Sequence, residues 1–398
     1  MEKLSHSSDP PQNPILVSIG VMAHNESAGI AQTLRSLLDQ TLLQSPTTAV
    51  ELKILANGCS DETAAIAQET LTAIAHTNAY KNLHWSVEEI TLPGKSNAWN
   101  LFVHHFSSQT AERLFLMDAD IELLGPHTLA AMLDTFAAYP QAQVVVDRPV
   151  KDVTIKANKT LSERLSAMLS RLSGGNSTTA GQPAWLCGQL YCARAKTLRQ
   201  VHLPISRLAE DGLLYHLVVT DNLRSAANPR RVMMAEEAAH SFEAYAQLER
   251  LLKHERWLIA SNTAHDILLD YLRHHGWQGA SVSQYIDRCN RENPHWLSRL
   301  VMDEARSHRW LIRQDILTRR FAGLSRQPFY KAVLLLPIAI AAFLVDLWLS
   351  FLANRDLHKG VALKYWGKPT GSQSLKTRSR EERAPEEQPS DKTAIGKY

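Results

Sequence analysis

A parallel α/β sheet is the fold class this sequence predicts, and three observations carry the prediction. Short apolar runs alternate with stretches of helical periodicity at the spacing of βαβ units. Three of the runs lead into turns of small or polar residues, His24-Asn25-Glu26, Asn57-Gly58 and Gly94-Lys95, and the crossover rule gathers such turns on one sheet edge. The fourth run, Leu114-Phe115-Leu116-Met117, is too short for a helix and stops in Asp118-Ala119-Asp120. Two carboxylates then stand at the carboxyl end of a strand, where open α/β sheets bind their ligands.

Composition sets the bounds. A chain of 398 residues makes about two to three structural units, and 44% hydrophobic residues suffice for a real core. A formal charge of +3 is too small to imply nucleic acid, so no nucleic-acid partner is expected. The four cysteines, Cys59, Cys187, Cys192 and Cys289, match neither a disulfide framework nor a zinc pattern and read as reduced thiols. Residues 1–13 are polar and proline-containing and are expected to be disordered. The first apolar run is short and broken by Ser18 and Gly20, a strand rather than a signal peptide, which predicts a cytoplasmic main domain.

Taken in order, Ile15–Met22 is the first strand, and Ser27 is placed to cap a helix reaching about Gln40. Glu51–Ala56 is the second strand; Asn57-Gly58 is turn chemistry, and Ser60 caps the next helix. A third strand spans His84–Ile90, and a helix runs from Asn97 to about His105. After the Asp118 strand, Ile155–Leu172 has helical spacing, and 173–181 is a glycine-rich stretch that reads equally as a lid or a linker. Trp185–Cys192 reads as a strand in which Gly188 permits close approach. Glu210-Asp211 opens a helix through Val219, a position that suits acids even without function. A strand at Arg231–Ala235 precedes Glu236, Glu237 and His240, and a further helix carries Lys253, His254, Arg256 and Trp257.

The chemistry of these residue types is that of a hard cation and a proton acceptor. Asp118 and Asp120 suit Mg²⁺ or Mn²⁺, which usually takes one or two protein carboxylates and shares its other positions with substrate phosphates. Lys95, Arg256 and His240 offer phosphate or metal contacts, and Trp257 a stacking face or a core residue. Neither Gly-x4-Gly-Lys-Ser/Thr nor Gly-x-Gly-x-x-Gly occurs at these turns.

Six short motifs in order resemble glycosyltransferase family 2, the inverting GT-A enzymes. They are Ala23-His24-Asn25-Glu26, Asn57-Gly58-Cys59-Ser60-Asp61-Glu62-Thr63, Gly94-Lys95-Ser96-Asn97-Ala98-Trp99-Asn100, Asp118-Ala119-Asp120, Glu210-Asp211 and Arg256-Trp257. The resemblance covers about 14–260 and implies a Rossmann-like mixed sheet flanked by helices. It implies a nucleotide-sugar donor, UDP-linked in the first instance, bound by Ala23, Asn25, Glu26, Asn57, Gly58, Asp61, Lys95, Asn97, Asp118, Arg256 and Trp257. Asp118, Asp120 and His240 are the metal candidates, and Asp211 with Glu210 the catalytic pair. The sequence departs from the family where Ala56 and Asn57 replace two acids, one of which contacts the base, and where Lys253 replaces a glutamine.

The C-terminal third has a different character. Residues 261–330 are predicted to be helical, and between Arg306 and Lys331 seven Lys/Arg face one acid, a cationic amphipathic pattern suited to an anionic lipid surface. Ala332–Ala353 then gives 22 residues with one charge, Asp346, so that 331–354 is predicted to be a transmembrane or re-entrant segment, kinked at Pro337. Basic residues before the segment favour a cytoplasmic catalytic side at the cell's inner membrane, yet Arg355, Lys359, Lys364 and Lys368 follow it as well. Residues 355–398 are predicted to be a polar, largely disordered tail. The expected activity is sugar transfer, with inversion, to a lipid or lipid-linked glycan. The rivals are a nucleotidyl or sugar-phosphate transferase and a catalytically silent membrane scaffold.

Overall fold

The structure is a computed structural model, and it describes residues 17–46, 48–75, 78–152, 181–243, 248–325 and 328–363. The expected helix at 155–172, most of the glycine-rich stretch, the N-terminal segment and the polar tail from 364 lie outside the described residues.

The first half alternates as the apolar runs require. It comprises β1 (Val17–Ala23), α1 (Ile30–Leu38), β2 (Val50–Asn57), α2 (Thr63–Ala75), β3 (Leu83–Ile90), α3 (Lys95–Leu101) and β4 (Arg113–Asp118). The four strands pair in parallel in the order β3-β2-β1-β4, so Ala23, Asn57, Ile90 and Asp118 end on one edge. Alternation along β4 sends Leu114 and Leu116 into one core layer and Phe115 and Met117 into the other. Gly20 in β1 has a packing reason: a Cβ there would lie 2.8 Å from the Phe102 ring, which is fully buried against it.

The second half departs from an all-parallel sheet. After β5 (Ile121–Leu123), α4 (Thr128–Ala138) and β6 (Val144–Lys151), β7 (Leu190–Arg194) enters antiparallel to both β4 and β6. Then come α5 (Ala195–Leu198), α6 (Glu210–Val219) and β8 (Val232–Phe242), which runs parallel to β6 and antiparallel to β5. The eight-stranded order is β3-β2-β1-β4-β7-β6-β8-β5, a mixed sheet with helices on both faces. The resemblance implies a mixed sheet, as found; apolar periodicity alone reports that a strand is buried and is silent about its direction, so it does not mark β7 as the strand that reverses.

Three local corrections bear on the site. Trp185–Gln189 is an irregular segment that turns at Gly188-Gln189 into β7, not its first half. The strand expected at 231–235 continues to Phe242, with Glu237 at φ +56° and a register shift against β6 between Val146 and Arg148, so Glu236, Glu237 and His240 lie inside it. The helix starts also differ, since α1 begins at Ile30 on the Glu26 carbonyl, and the Thr63 amide at the start of α2 donates to Asp61 Oδ1 at 3.1 Å.

The remaining helices are α7 (Leu248–His274), α8 (Ala280–Glu292), α9 (Trp296–Ser307), α10 (Gln314–Ser325) and α11 (Phe329–His358). The apolar segment expected at 332–353 is thus the body of a thirty-residue helix with Pro337 inside it.

Candidate active site

The edge formed by β1, β2 and β4 is stitched together by the polar residues of its own turns. Asn25 sits at φ +53°, a left-handed conformation Asn tolerates, and its Oδ1 accepts from the Ser60 amide at 2.8 Å. The Glu26 amide donates to Thr63 Oγ1 at 2.8 Å, and the Ser27 amide to Asp61 Oδ2 at 3.1 Å. Burial raises the Asp61 carboxyl, but the Thr63 and Ser27 donors outweigh it and hold its pKa below the usual value. Asp61 therefore ties the first turn to the second.

The second turn positions the third. Gly58 has φ +59°, and a Cβ there would meet Pro93 Cβ at 2.5 Å, so only glycine lets the two loops touch. Asn57 Oδ1 accepts from the Gly94 amide at 3.2 Å, while its buried Nδ2 has no hydrogen-bond partner, a donor left over at the edge. Asn97 turns away, its amide donating to the Leu92 carbonyl at 2.9 Å.

Lys95 is the centre of the cluster. Its ammonium lies 2.8 Å from Asp118 Oδ1 and 2.9 Å from Glu210 Oε1, and donates to the Gly188 carbonyl at 3.1 Å. One cation thus joins the end of β4, the start of α6 and the turn before β7. Burial opposes the charge on Lys95, but the Asp118 and Glu210 carboxylates hold its pKa well above the ordinary lysine value. Burial pushes Glu210 and Asp211 up against the pull of Lys95. Gly188 packs directly on the pair: a Cβ there would be 3.2 Å from Asp211 Cβ and 3.2 Å from Glu210 Oε1. Asp211 is held in turn by the Gly212 amide at 2.8 Å.

Asp120 follows one residue beyond Ala119, whose amide donates to the Met22 carbonyl at 3.1 Å, and the chain turns at once into β5. Leu123 of β5 pairs with His240 of β8. His240 is fully buried, with Nδ1 2.7 Å from Asp147 Oδ2 and Nε2 3.3 Å from Gln189 Oε1. The Gln189 carbonyl accepts from the Asp118 amide at 2.8 Å, so one residue links the imidazole to the first acid.

Gln189 and Asp147 were not foreseen, because in sequence each reads as an ordinary residue of an apolar run. A carboxylate on one imidazole nitrogen is the support commonly given to a histidine that faces a cation. Among the described residues no three His, Cys, Asp or Glu side chains gather to hold a metal ion on their own. The donor set is nevertheless oxygen-rich and suits a hard cation that draws its remaining ligands from a diphosphate.

Two expected donor contacts are not formed here. Arg256 makes a bidentate ion pair with Asp356 near the end of α11, so its guanidinium is already engaged. Trp257 lies beneath the Arg207 guanidinium, 5.6 Å from its ring centroid, with its indole nitrogen buried. Trp185 is 52% exposed and stacks on Tyr215 with ring centroids 4.0 Å apart. Tyr215 follows Asp211 by about one helical turn.

No curated protein matches the sequence. Among solved structures the chain is similar to a mannosyltransferase from Pyrobaculum calidifontis in complex with GDP-Man and Mn²⁺, at 15% identity over 88% of each chain with a TM-score of 0.49. It is also similar to glucosyl-3-phosphoglycerate synthase from Mycobacterium tuberculosis in complex with Mn²⁺, UDP-glucose and phosphoglyceric acid, at 18% identity over 63% of this chain and 79% of that one, with a TM-score of 0.39. The family model for glycosyl transferase family 2 matches residues 18–188, from β1 to the glycine that packs on the acid pair.

Proposed function

We propose that the chain transfers a sugar, with inversion, from a nucleoside diphosphate sugar to an acceptor hydroxyl presented at a membrane surface. The observation that carries this reading is the convergence of Asp118, Lys95, Glu210 and Asp211 on one point of the sheet edge.

Each residue has a role that its contacts suit. The turns at Asn25, Asn57-Gly58 and Gly94 form the floor on which the nucleotide lies, and Asn57 brings a spare amide donor to it. Lys95 balances the acids on both sides of the edge and offers its charge to donor phosphate when the diphosphate enters. Asp118 and Asp120, with His240 oriented by Asp147, are the residues that would hold Mg²⁺ or Mn²⁺. Such a cation neutralises charge on the departing diphosphate.

Asp211 takes the proton from the acceptor hydroxyl as it attacks the anomeric carbon opposite the leaving group. Burial raises its pKa, which strengthens it as a base. Glu210 holds Lys95 and so sets the spacing between the donor side and Asp211. The Trp185–Tyr215 pair offers an apolar face to an acceptor sugar ring. The apolar α11 supports a membrane-borne acceptor, and the basic residues that precede it favour a cytoplasmic catalytic side at the inner membrane.

The test is Asp211→Asn in the full chain. Transfer should fall by about 10²–10⁴-fold while donor affinity with Mn²⁺ is retained. Unchanged transfer removes Asp211 as the base, and appearance of a nucleotidyl product in place of a glycosyl product overturns the reaction class.

A further inference from the structure

We infer that α10 and α11 form a single hairpin that enters the lipid surface from the side of the catalytic sheet and returns to that side, so the chain attaches without crossing. The inference rests on the membrane reading proposed above and adds its topology. Sequence alone leaves spanning and re-entrant readings open, because basic residues flank the apolar stretch on both sides.

The two roots of the hairpin are tied to each other and to the body. On the outgoing side, the Leu311 amide donates to Asn354 Oδ1 at 2.8 Å, and Asn354 Nδ2 donates to the Arg309 carbonyl at 3.0 Å. Ile312 is buried, and Arg313 lies 3.6 Å from Asp266 of α7. On the returning side, Asp356 is gripped by Arg256 of α7, and Leu357 is buried. Beyond the helix, the Leu363 carbonyl accepts from the Arg207 amide at 3.3 Å. Both ends therefore stay on the catalytic side.

The two arms are clasped along their length. Asp346 is 2% exposed and receives Arg319 at 2.9 and 3.1 Å and Arg320 at 2.8 and 3.2 Å. Phe321 packs on Phe343 with centroids 5.3 Å apart, and Arg319 also reaches Glu255 of α7 at 3.4 Å. A crossing α11 would have to carry this pair of arginines, fixed on its partner helix, into hydrocarbon, where charges are costly.

The outer surface of the hairpin suits lipid. Ala339, Asp346, Ser350, Ala353 and Leu357 form the inward stripe of α11, and Leu334, Ile338, Leu344, Trp348 and Phe351 face outward, each exposed. Among the described residues this is the one helix long and apolar enough to cross a membrane, and only 17% of its most apolar window is buried. Exposed Arg309 and Arg313 before it, and Lys331, Arg355 and Lys359 along and after it, bring cationic side chains to both ends. That charge fits anionic headgroups, and a non-crossing hairpin puts every one of these cations on the same leaflet.

The experiment labels the full chain with membrane-impermeant maleimide-polyethylene glycol in sealed spheroplasts and in inverted vesicles of a bacterial host. Added cysteines are Lys331→Cys, Lys359→Cys and Asp134→Cys, the last reporting the catalytic side on α4, and each is read as label beyond that of the parent chain. The expected result is that all three label in inverted vesicles and none in spheroplasts. Label on Lys331→Cys or on Lys359→Cys in spheroplasts, with Asp134→Cys labelled only in inverted vesicles, establishes a crossing and overturns the inference while leaving attachment intact. Flotation of the parent chain with phosphatidylglycerol-containing vesicles is the companion measurement. Failure to float removes the membrane reading itself, and the inference with it.

Discussion

Replacing Lys95 with methionine tests whether the edge acts as one unit. Methionine keeps the unbranched apolar stem and removes the cation that touches both Asp118 and Glu210. The three side chains are 16%, 19% and 9% exposed, so water screens little of the loss. Removing one partner of a buried ion pair costs about 3–5 kcal/mol, because a charge is left without compensation. Here the cost sits at the low end. Burial already raises the Glu210 pKa against the pull of Lys95, and removing the lysine raises it further, which lessens the charge left stranded. A net loss of about 3 kcal/mol at about 2–4 °C each lowers Tm by about 6–12 °C, read by scanning fluorimetry of the full chain in detergent. The Lys95→Met/Glu210→Gln variant removes a carboxylate as well and should recover about 1–2 kcal/mol of coupling. A single variant melting within about 1 °C of the parent refutes the idea that these groups form one buried unit.

Three further outcomes follow from the same geometry. A base works in its ionised form, and burial raises Asp211, so kcat falls as pH drops through a value above the ordinary aspartate pKa of about 3.9; an acid limb at or below that value contradicts the assignment. Gly188→Ala places a methyl 3.2 Å from both acids, so the pair must shift by a few tenths of an ångström. Because a misplacement of about 1 Å costs about 10²-fold, kcat should fall by about 3–10-fold with donor KM unchanged, and an unaltered kcat shows that the contact has slack. Trp185→Ala should raise the acceptor KM by about 2–10-fold and leave the donor KM alone, since an aromatic contact is worth about 0.5–1.5 kcal/mol; an effect on the donor alone places the ring on the other substrate.

What the sequence announces and what it conceals divide along the range of the interactions. The strand of Leu114–Met117 and its terminal acids are legible because burial and turn chemistry are local, and Gly58 and Gly188 mark close approaches that the structure contains. The direction of β7 is hidden, since alternation is the same read either way. Asp147 and Gln189 are hidden because their partner His240 is 93 and 51 residues away in the chain. The partner of Arg256 is hidden for the same reason. Its motif suggests a ligand contact, and its partner Asp356 stands 100 residues further on in a stretch that reads as polar tail. Asp346 reads as a lone charge in an apolar run until Arg319 and Arg320, part of a segment taken for a membrane-facing surface, turn inward to meet it.

Helix α11 and the site share a physical connection. The segment that leaves α11 accepts the Arg207 amide through Leu363, and Arg207 belongs to the loop that leads into Glu210 and Asp211. In the same loop the Ile205 carbonyl lies 3.7 Å from where a Cβ on Gly94 would stand, next to Lys95. An anchor fixed to a distant surface would hold the enzyme on lipid without bearing on its acids. The segment after α11 ends on the loop that borders Lys95 and leads into Asp211, while the other tie of the helix, Asp356 to Arg256, fixes α7 beside it. On the proposed reading, the acceptor therefore arrives from the same surface that orients the group taking its proton, and the orientation entropy of bringing lipid-borne substrate to Asp211 is reduced before the substrate binds.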